Sequence, residues 1–542
     1  MRMIRVGFDL GTTYSAFCVY DDNSKNVDYF KFDTCAREFF PTIIAYHRED
    51  RARCYVGEAA RRYRFSPQYD VYDTFKLRLG DGACENGGRI RSPFEAARDF
   101  VGQVLKKFSE NRGVSLEDMI LVQTVPDIWK NEIHNKIALE HLAQIYEDLG
   151  MDTSSRVSFE SEPVSAAVYY LNEICQGNYH GHIVVVDYGG GTLDLTLCRA
   201  EKNGSISVLY SCGNGGRGQT GCAGNAFDQA VTMRLASRNG MDAAIYVPGK
   251  PAFDALQSAF EDCKIASTES TRAALENYYE SGGLDDPVAF SVMMPPPVYE
   301  EYDVYASDIA LAFESVNHQA LRESVMEMQK KCGEMDVDME GIDDFRVLLV
   351  GGFSNLYCVE NCVRELFGSM AGIDDPRFDG RMNRESRSTA IAHGACLIAA
   401  GITPVAYINQ TEVGFFARNL HGQEIAVPVL HRGKAVKEYA QPQYCPYTLA
   451  RTFQDMPVSL DLFFDDGMGP VRVRMDKAFG SICPNFDKED NRYQIGFSID
   501  RHRIPQLHIR DAGGEENVIS LYQTIARLPA IIIQEELKEG QP

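Results

Sequence analysis

The sequence predicts an α/β fold over residues 1–402, followed by an antiparallel β domain over residues 403–542. Three observations lead there. Apolar runs with strand character alternate with stretches of helical periodicity as far as about residue 402. Two turns of one design, "VGFDLGTTYS" from Val6 and "IVVVDYGGGTLDLTLC" from Ile183, recur, and their aspartates, Asp9 and Asp187, lie 178 residues apart. Beyond Gly401 the pattern changes to period two, punctuated by turn residues.

In chain order, the first turn sends an apolar strand into Asp9, Gly11, Thr12 and Thr13, and a second strand follows it. Helical periodicity then covers Phe94 to Lys107 and Lys130 to Leu149. After the second turn, Leu193, Leu195 and Leu197 alternate with Asp194 and Thr196, the mark of a half-buried strand. "GNGGRGQT" from Gly213 has the GxGxxG spacing, but Gln219 stands where a phosphate-binding lysine belongs. No acidic residue ends a second strand about 20 residues on, so the stretch reads as a glycine loop. Pro295-Pro296-Pro297 reads as a rigid surface loop, and Ala312 to Lys331 as one helix. "VLLVGGFSN" is a buried strand running into Gly351-Gly352; the helix after it, Cys358 to Phe367, collects Val359, Cys362, Val363, Leu366 and Phe367 on one face. In the β domain Val458, Leu460, Leu462 and Phe464 alternate with Ser459 and Asp461, and Tyr493, Ile495, Phe497 and Ile499 with polar or small residues. Turn signals at Asp465-Asp466-Gly467 and Gly513-Gly514 complete an antiparallel region from about 410 to 522. The tail "TIARLPAIIIQEELKEGQP" is short and interrupted by Pro529, so no helical bundle is expected there.

Composition narrows the function. A chain of 542 residues exceeds one core, and 44 % hydrophobic with 24 % charged residues is ordinary globular usage. A net charge of −23 argues against a nucleic-acid partner, since counterion release needs a basic surface. Fifteen cysteines form no CxxC pair, and Cys358 and Cys362 have no clustered histidines beside them, which disfavours zinc and suits a reducing compartment. No apolar run approaches the roughly 20 residues needed to cross a bilayer. Asp9 interrupts what would otherwise be a signal-peptide core, so a cytoplasmic protein without membrane association is expected.

The two Asp-Gly-Thr turns carry the chemistry. A strand–turn–strand hairpin can aim backbone N–H groups at phosphate oxygens, glycine permits close approach, and threonine hydroxyls add donors. A carboxylate at each strand end can hold magnesium through its bound waters, because this ion dehydrates reluctantly. One such hairpin is equally a plain tight turn; two facing hairpins would clamp a triphosphate. Gly351-Gly352 beside a helix start offers open backbone where a nucleoside sugar or phosphate could rest.

These motifs resemble those of the seventy-kilodalton heat-shock chaperone family within the actin-like ATPase superfamily. "FDLGTTYS" is similar to its first phosphate loop, "VVDYGGGTLDL" to its second and "LLVGGFSN" to its adenosine loop. "FESEPVSAAVYYL" resembles its connecting helix, "TFKLRLG" its catalytic-lysine segment, "TVPDIW" its hinge proline and "YQIGFSIDRHRIPQLHI" a hairpin of its substrate domain. The resemblance implies a duplicated, actin-like (ribonuclease H-like), two-lobed ATPase domain and an antiparallel β-sandwich-like domain. Lobe I would span about 1–171 and 358–402, and lobe II about 172–357. It implies ATP/ADP and Mg2+ as cofactors, with Asp9 and Asp187 holding magnesium waters and Asp187 or Asp194 orienting the attacking water. Gly11, Thr12, Thr13, Tyr14 and Gly189, Gly190, Gly191 and Thr192 would bind phosphate, Lys76 would stabilise charge on the γ-phosphate, and Glu162 would complete the polar cluster. Glu261 and Lys264 would reach the ribose, with Gly224, Thr268, Gly351, Gly352 and Phe353 as further nucleotide-binding positions.

Departures from the family's pattern are as informative. Its adenine-stacking arginine aligns with Ile265, the serine after its Gly-Gly with Phe353, and the arginine relaying the hinge proline with His134. "GITPVAYINQT" replaces its acidic, leucine-rich linker, and no counterpart of its α-helical lid is expected. The expectation is a slowly hydrolysing, chaperone-like ATPase. Its partners would be extended or unfolded polypeptide and a co-chaperone, and Trp129, near the hinge, would report closure. Alternatives are a sugar or metabolite kinase of the same superfamily and a nucleotide-dependent scaffold.

Overall fold

A computed structural model of the chain describes residues 3–32, 38–50, 52–80, 91–127, 133–153, 155–214, 221–294, 299–370, 374–419, 421–450, 460–465, 469–475, 492–500 and 503–521. Trp129, Pro295-Pro296-Pro297, most of the Gly213–Thr220 loop, Val458, Ser459, Asp466, Gly467 and the tail from Thr524 lie outside these residues. The chain divides into a larger compact unit, drawn mainly from residues 1–404, and a smaller one, drawn mainly from 405–542. The architecture is mixed α/β with several sheets.

In the larger unit the first sheet uses β1 (Ile4–Asp9), β2 (Tyr14–Asp21), β3 (Asn26–Tyr29) and β4 (Phe39–Pro41). β5 (Ile44–His47), β6 (Cys54–Val56) and β7 (Tyr69–Tyr72) form a small separate sheet, with the single turn α1 (Glu58–Arg61) beside it in sequence. Helix α2 (Pro93–Arg112) begins where the Ser92 hydroxyl accepts from the Glu95 N–H and Pro93 fits the first turn, and it ends at Gly113 with φ 63°. These are the capping chemistries expected at a helix start and stop. Its buried face, including Phe100 and Phe108, packs on the sheet, where the Phe108 ring lies 4.8 Å from that of Phe17. β8 (Met119–Val125), α3 (Ile133–Asp148), β9 (Val157–Ser161) and α4 (Glu162–Tyr169) follow. The sheet order is β3-β2-β1-β8-β9 with β4 on β2; β1 runs antiparallel to β2 and parallel to β8.

A second sheet repeats this local pattern. β10 (Gly181–Tyr188) pairs antiparallel with β11 (Leu193–Ala200) and parallel with β15 (Phe345–Val350), and β12 (Ile206–Asn214) extends the sheet on the far side of β11. Helices α5 (Gly224–Arg238), α6 (Pro251–Ala266) and α7 (Thr268–Glu280) precede a two-stranded β13 (Val288–Met293) and β14 (Glu301–Tyr305). The helical periodicity over Ala312–Lys331 does not form one helix. It spans two helices, α8 (Ala306–Val316) and α9 (His318–Glu334), parted at Asn317. Asn317 is fully buried, and its Nδ2 donates to the Tyr188 hydroxyl at 3.1 Å and the Cys222 carbonyl at 2.6 Å. Its side chain thus satisfies groups of other elements at the break. α10 (Tyr357–Leu366) and α11 (Arg384–Ala399) complete the unit. α11 packs closely on α4 and β1: a Cβ at Gly394 would overlap the Ser165 backbone, and one at Gly7 the α11 backbone.

The smaller unit carries β16 (Val405–Tyr407), β17 (Glu412–Arg418), β18 (Glu424–Leu430), β19 (Gln443–Tyr444), β20 (Leu449–Ala450), β21 (Leu460–Asp465), β22 (Val471–Met475), β23 (Arg492–Ile499), β24 (Pro505–Asp511) and β25 (Glu516–Ser520). Two antiparallel sheets, β18-β17-β21-β22 and β19-β23-β24-β25 with β20 on β23, share one apolar core. Leu460, Leu462, Phe464, Ile495, Phe497 and Ile499 all belong to that core.

Candidate functional site

The repeated turns close against each other. Asp9 ends β1 and pairs in register with Ala16, and Asp187, near the end of β10, pairs with Asp194. A Cβ at Gly191 would come within 2.7 Å of the Thr12 hydroxyl, and one at Gly190 would strike the Thr13 hydroxyl and lie 3.2 Å from Asn225 Oδ1. Glycine is required in the second turn because threonines of the first occupy that space. The second turn is also tied to the start of α5: the Gly224 N–H donates to the Gly189 carbonyl at 3.1 Å and the Asn225 N–H to Gly190 at 2.8 Å.

Four charged side chains gather where the turns meet: Lys76, Glu162 and Asp187, all buried, and the partly exposed Asp9. Lys76, on a 3-10 turn over Phe75–Arg78, is 3 % exposed, and its Nζ donates to Glu162 Oε1 at 2.7 Å. Glu162 opens α4, whose first turn is set by the Ser161 hydroxyl accepting from the Val164 N–H at 3.3 Å. Thr124 Oγ1 donates to Asp9 Oδ1 at 2.9 Å. Burial and the nearby Glu162 charge raise the Asp9 carboxyl from 3.8 to about 7, although Lys76 and Thr124 pull the other way. Burial also raises Asp187, reinforced by Glu162, Asp194 and Asp9. Burial disfavours the Lys76 ammonium, but Glu162 and Asp9 outweigh it and raise its pKa. Lys76 is therefore a fixed cation.

Three carboxylates around one lysine leave an excess of negative charge, and Asp187 Oδ2 is buried with no hydrogen-bond partner among the described residues. That orphaned oxygen and the raised acids fit a bound cation. Among the described residues no cluster of three or more His, Cys, Asp or Glu side chains could hold a metal directly. A hard ion held through its own waters suits this arrangement.

These residues line one end of a cavity of about 820 Å³. Of the positions singled out in the sequence, Gly11, Thr12, Thr13, Tyr14, the Gly189–Thr192 turn, Gly224, Glu261, Lys264, Thr268 and Gly351–Phe353 also line it. Asp194 does not: it is fully buried, behind Asp187 in the β10–β11 ladder. Gly351 has φ 82°, and a Cβ there would lie 2.5 Å from Asp187 Oδ1. The Phe353 ring packs 4.9 Å from Tyr188 and 5.1 Å from Phe227, forming floor rather than polar wall. Lys264 Nζ reaches Asp228 Oδ1 at 2.5 Å, and Glu261 lies 3.9 Å from an Arg64 nitrogen, so both ribose candidates have protein partners. Burial raises Asp228 from 3.8 to about 6 against the pull of Lys264.

Several lining or supporting residues gave no sequence signal. Thr124, Asn225, Asp228, Arg272, Arg384 and Arg387 reach the site from distant positions, and only Asn225, next to Gly224, could have been guessed from its neighbour. An adjoining cavity of about 870 Å³ shares Thr13, Tyr14, Asn225, Asp228 and Glu261 with the first. Two arginines cross it: Arg61 pairs with Asp262, and Arg64 donates to the Ser258 hydroxyl at 2.8 Å.

No protein-family profile matches the chain. Among curated proteins it is similar to chaperone protein DnaK of Elusimicrobium minutum, 24 % identical over 381 residues, covering 68 % of this chain and 55 % of that one. It is likewise similar to the chaperone protein HscA homolog of Vibrio vulnificus, 24 % identical over 385 residues (67 % and 54 %). A third relative is DnaK of Thermosipho melanesiensis, 24 % over 400 residues (73 % and 59 %). The chain thus spans somewhat more than half the length of the curated relatives it matches. Among the described residues no helix is long and apolar enough to cross a membrane. The chain is thus similar to DnaK and HscA chaperones at about a quarter identity.

Proposed function

We propose that this chain is a divergent relative of the seventy-kilodalton heat-shock chaperones. It binds Mg-ATP between two actin-like lobes and hydrolyses it slowly. The observation that carries the reading is the seating of Gly190 and Gly191 of one Asp-Gly-Thr turn against Thr13 and Thr12 of the other, above the buried Lys76–Glu162 pair. Backbone N–H groups and hydroxyls of both turns grip phosphate oxygens from two sides. Magnesium, held near Asp9 and Asp187 through waters, neutralises phosphate charge when bound. Lys76, already fixed by Glu162, places a cation where charge develops on the transferred group, and this preorganised electrostatic contribution is the main catalytic effect. Asp187, whose Oδ2 has no hydrogen-bond partner among the described residues, orients the attacking water; Asp194, its partner across the β10–β11 ladder, acts through it.

The chaperone half of the proposal draws on the similarity to DnaK and HscA, and it assigns the smaller unit to loose binding of extended polypeptide. A co-chaperone partner and a cytoplasmic location belong to the same proposal. The adjoining cavity favours a second reading, transfer of phosphate to a small acceptor, because it opens beside the same turn residues, Thr13 and Asn225. One assay separates them. Purified protein with Mg-ATP should release free orthophosphate without any added acceptor, and phosphate appearing only on an acceptor would replace the ATPase reading with a kinase.

A further inference from the structure

In the smaller unit, the face of the β19-β23-β24-β25 sheet that turns away from the core carries polar side chains in one chemical order. Ile495, Phe497, Leu507 and Ile509 belong to the core, and Ile519 packs against it. The alternate residues Ser498 of β23, His508 of β24 and Glu516 of β25 therefore share the opposite face. Ser498 Oγ and His508 Nε2 lie 2.7 Å apart, and His508 Nδ1 lies 2.9 Å from Glu516 Oε1. The Tyr444 hydroxyl donates to that same carboxylate oxygen. This bond holds Glu516 below the ordinary carboxylate range against the pull of burial, and His508 adds to the effect. An ionised carboxylate can only accept, so in the neutral imidazole Nδ1 carries the proton and Nε2 accepts from the Ser498 hydroxyl. The serine proton is thus aimed at a base whose ring is held from behind.

Hydroxyl, imidazole and carboxylate joined through these atoms make an activated nucleophile. We propose that Ser498, His508 and Glu516 form an acyl-transfer centre that hydrolyses short, activated esters. The proposal goes beyond the nucleotide reading and does not depend on it. Ser498 Oγ attacks the ester carbonyl carbon and gives its proton to His508 Nε2. The bond to the leaving alkoxide breaks, His508 protonates that oxygen, and an acyl-serine remains. Water then attacks the acyl carbon while giving a proton to His508; the free acid departs and His508 returns the proton to Ser498. Glu516 is a positioning residue, which fixes the ring and its proton without touching the ester. Ser498 and His508 are each 6 % exposed, so only a small acyl group reaches the hydroxyl. Val518, half-exposed and opposite His508 in the β24–β25 register, offers that group apolar contact. General-base help contributes about 10²–10⁴-fold, enough for an ester with a good leaving group and too little for an amide.

The test is phosphonylation of the full chain by a small fluorophosphonate, located by peptide mass mapping, together with hydrolysis of p-nitrophenyl acetate. The expected result is one phosphonyl group, on Ser498, with hydrolysis lost as the label goes on. Ser498→Ala should remove both, and His508→Gln should slow labelling by about 10²-fold or more. Glu516→Gln should slow hydrolysis by about tenfold and lower the pH midpoint of its rate, because the imidazolium loses a neighbouring negative charge; Glu516→Asp should restore part of each. A purely structural role for Glu516 would not move that midpoint. Folded wild-type protein left unlabelled at Ser498 would overturn the proposal, and this arm needs no variant to fold. Hydrolysis retained in Ser498→Ala, or a labelling rate unchanged in His508→Gln, would overturn it equally.

Discussion

Lys76 is the residue on which the catalytic reading turns. It is buried, paired with Glu162 at 2.7 Å, and close enough to Asp9 for their charges to interact. Lys76→Ala is expected to slow ATP turnover by about 10²–10³-fold, as loss of one preorganised donor does elsewhere, with a much smaller change in ATP affinity. The same change leaves Glu162 buried without its cation, so the melting temperature should also fall. A Lys76→Ala/Glu162→Gln double variant should recover the melting temperature but not the turnover. Steady-state phosphate release and thermal melts read both, and recovered turnover in the double variant would show that Lys76 acts only through the fold.

The acids make a second prediction at this scale. Asp9, raised to about 7, and Asp228, raised to about 6, hold protons more tightly folded than unfolded. Their contribution to stability is complete below the ordinary value near 3.8 and is lost as the pH rises through 6 and 7. Metal-free protein should accordingly melt lower at pH 8 than at pH 5, and Mg2+ should restore more stability at pH 8, where the carboxylates are ionised. Asp9→Asn should flatten the metal-free profile. A wild-type melting temperature that rises over this interval, with the Asn variant following it, would contradict the assignment.

At the scale of elements, the glycines fix how strands end. Gly351 terminates β15 at φ 82°, with Asp187 Oδ1 where a Cβ would stand. Gly351→Ala should therefore push Asp187 aside and weaken Mg-nucleotide binding at least tenfold, with secondary structure retained by circular dichroism. Nucleotide affinity equal to wild type would show that this strand end is not part of the site.

The turns themselves were legible in the sequence because each is local: strand, Asp, Gly, Thr, strand. So were α2 and α10, whose apolar residues recur at helical spacing. The break at Asn317 was not, because asparagine lowers helix propensity only slightly and the apolar pattern continues on both sides of it. What decides that position is a pair of hydrogen bonds to Tyr188 and Cys222, far away in sequence. The same reason hid Thr124 beside Asp9 and Asp228 beside Lys264. Each partner is an ordinary polar residue until the fold places it.

At the scale of the whole molecule, the ion pairs over the adjoining cavity join α1 and the loop after it to α6, through Arg61 with Asp262 and Arg64 with Glu261. Partly exposed pairs contribute little each, so Arg61→Ala/Arg64→Ala should speed release of a fluorescent ADP analogue by only about 2- to 10-fold. An unchanged release rate would show that these pairs do not restrain the nucleotide. In the smaller unit the alternating apolar residues are spent on the unit's own core, with Phe415, Leu462, Phe497 and Leu507 all fully buried. A polypeptide would have to add at a strand edge through main-chain hydrogen bonds. Unstructured fluorescent peptides should then bind weakly, exchange fast and respond to ATP by less than tenfold, about 1.4 kcal/mol of coupling. A tight complex released by ATP would refute the uncoupled arrangement.

Turnover, nucleotide affinity and nucleotide release all depend on the two facing turns holding a metal-bound nucleotide. Isothermal titration of the folded chain with ATP, in the presence and absence of Mg2+, tests that directly. Saturable one-to-one binding in the micromolar range or tighter, strongly weakened by removing Mg2+ and by Asp187→Asn, is the predicted result. Folded protein that takes up no Mg-ATP, or binds it equally well without magnesium and in the Asp187→Asn variant, would contradict the clamp.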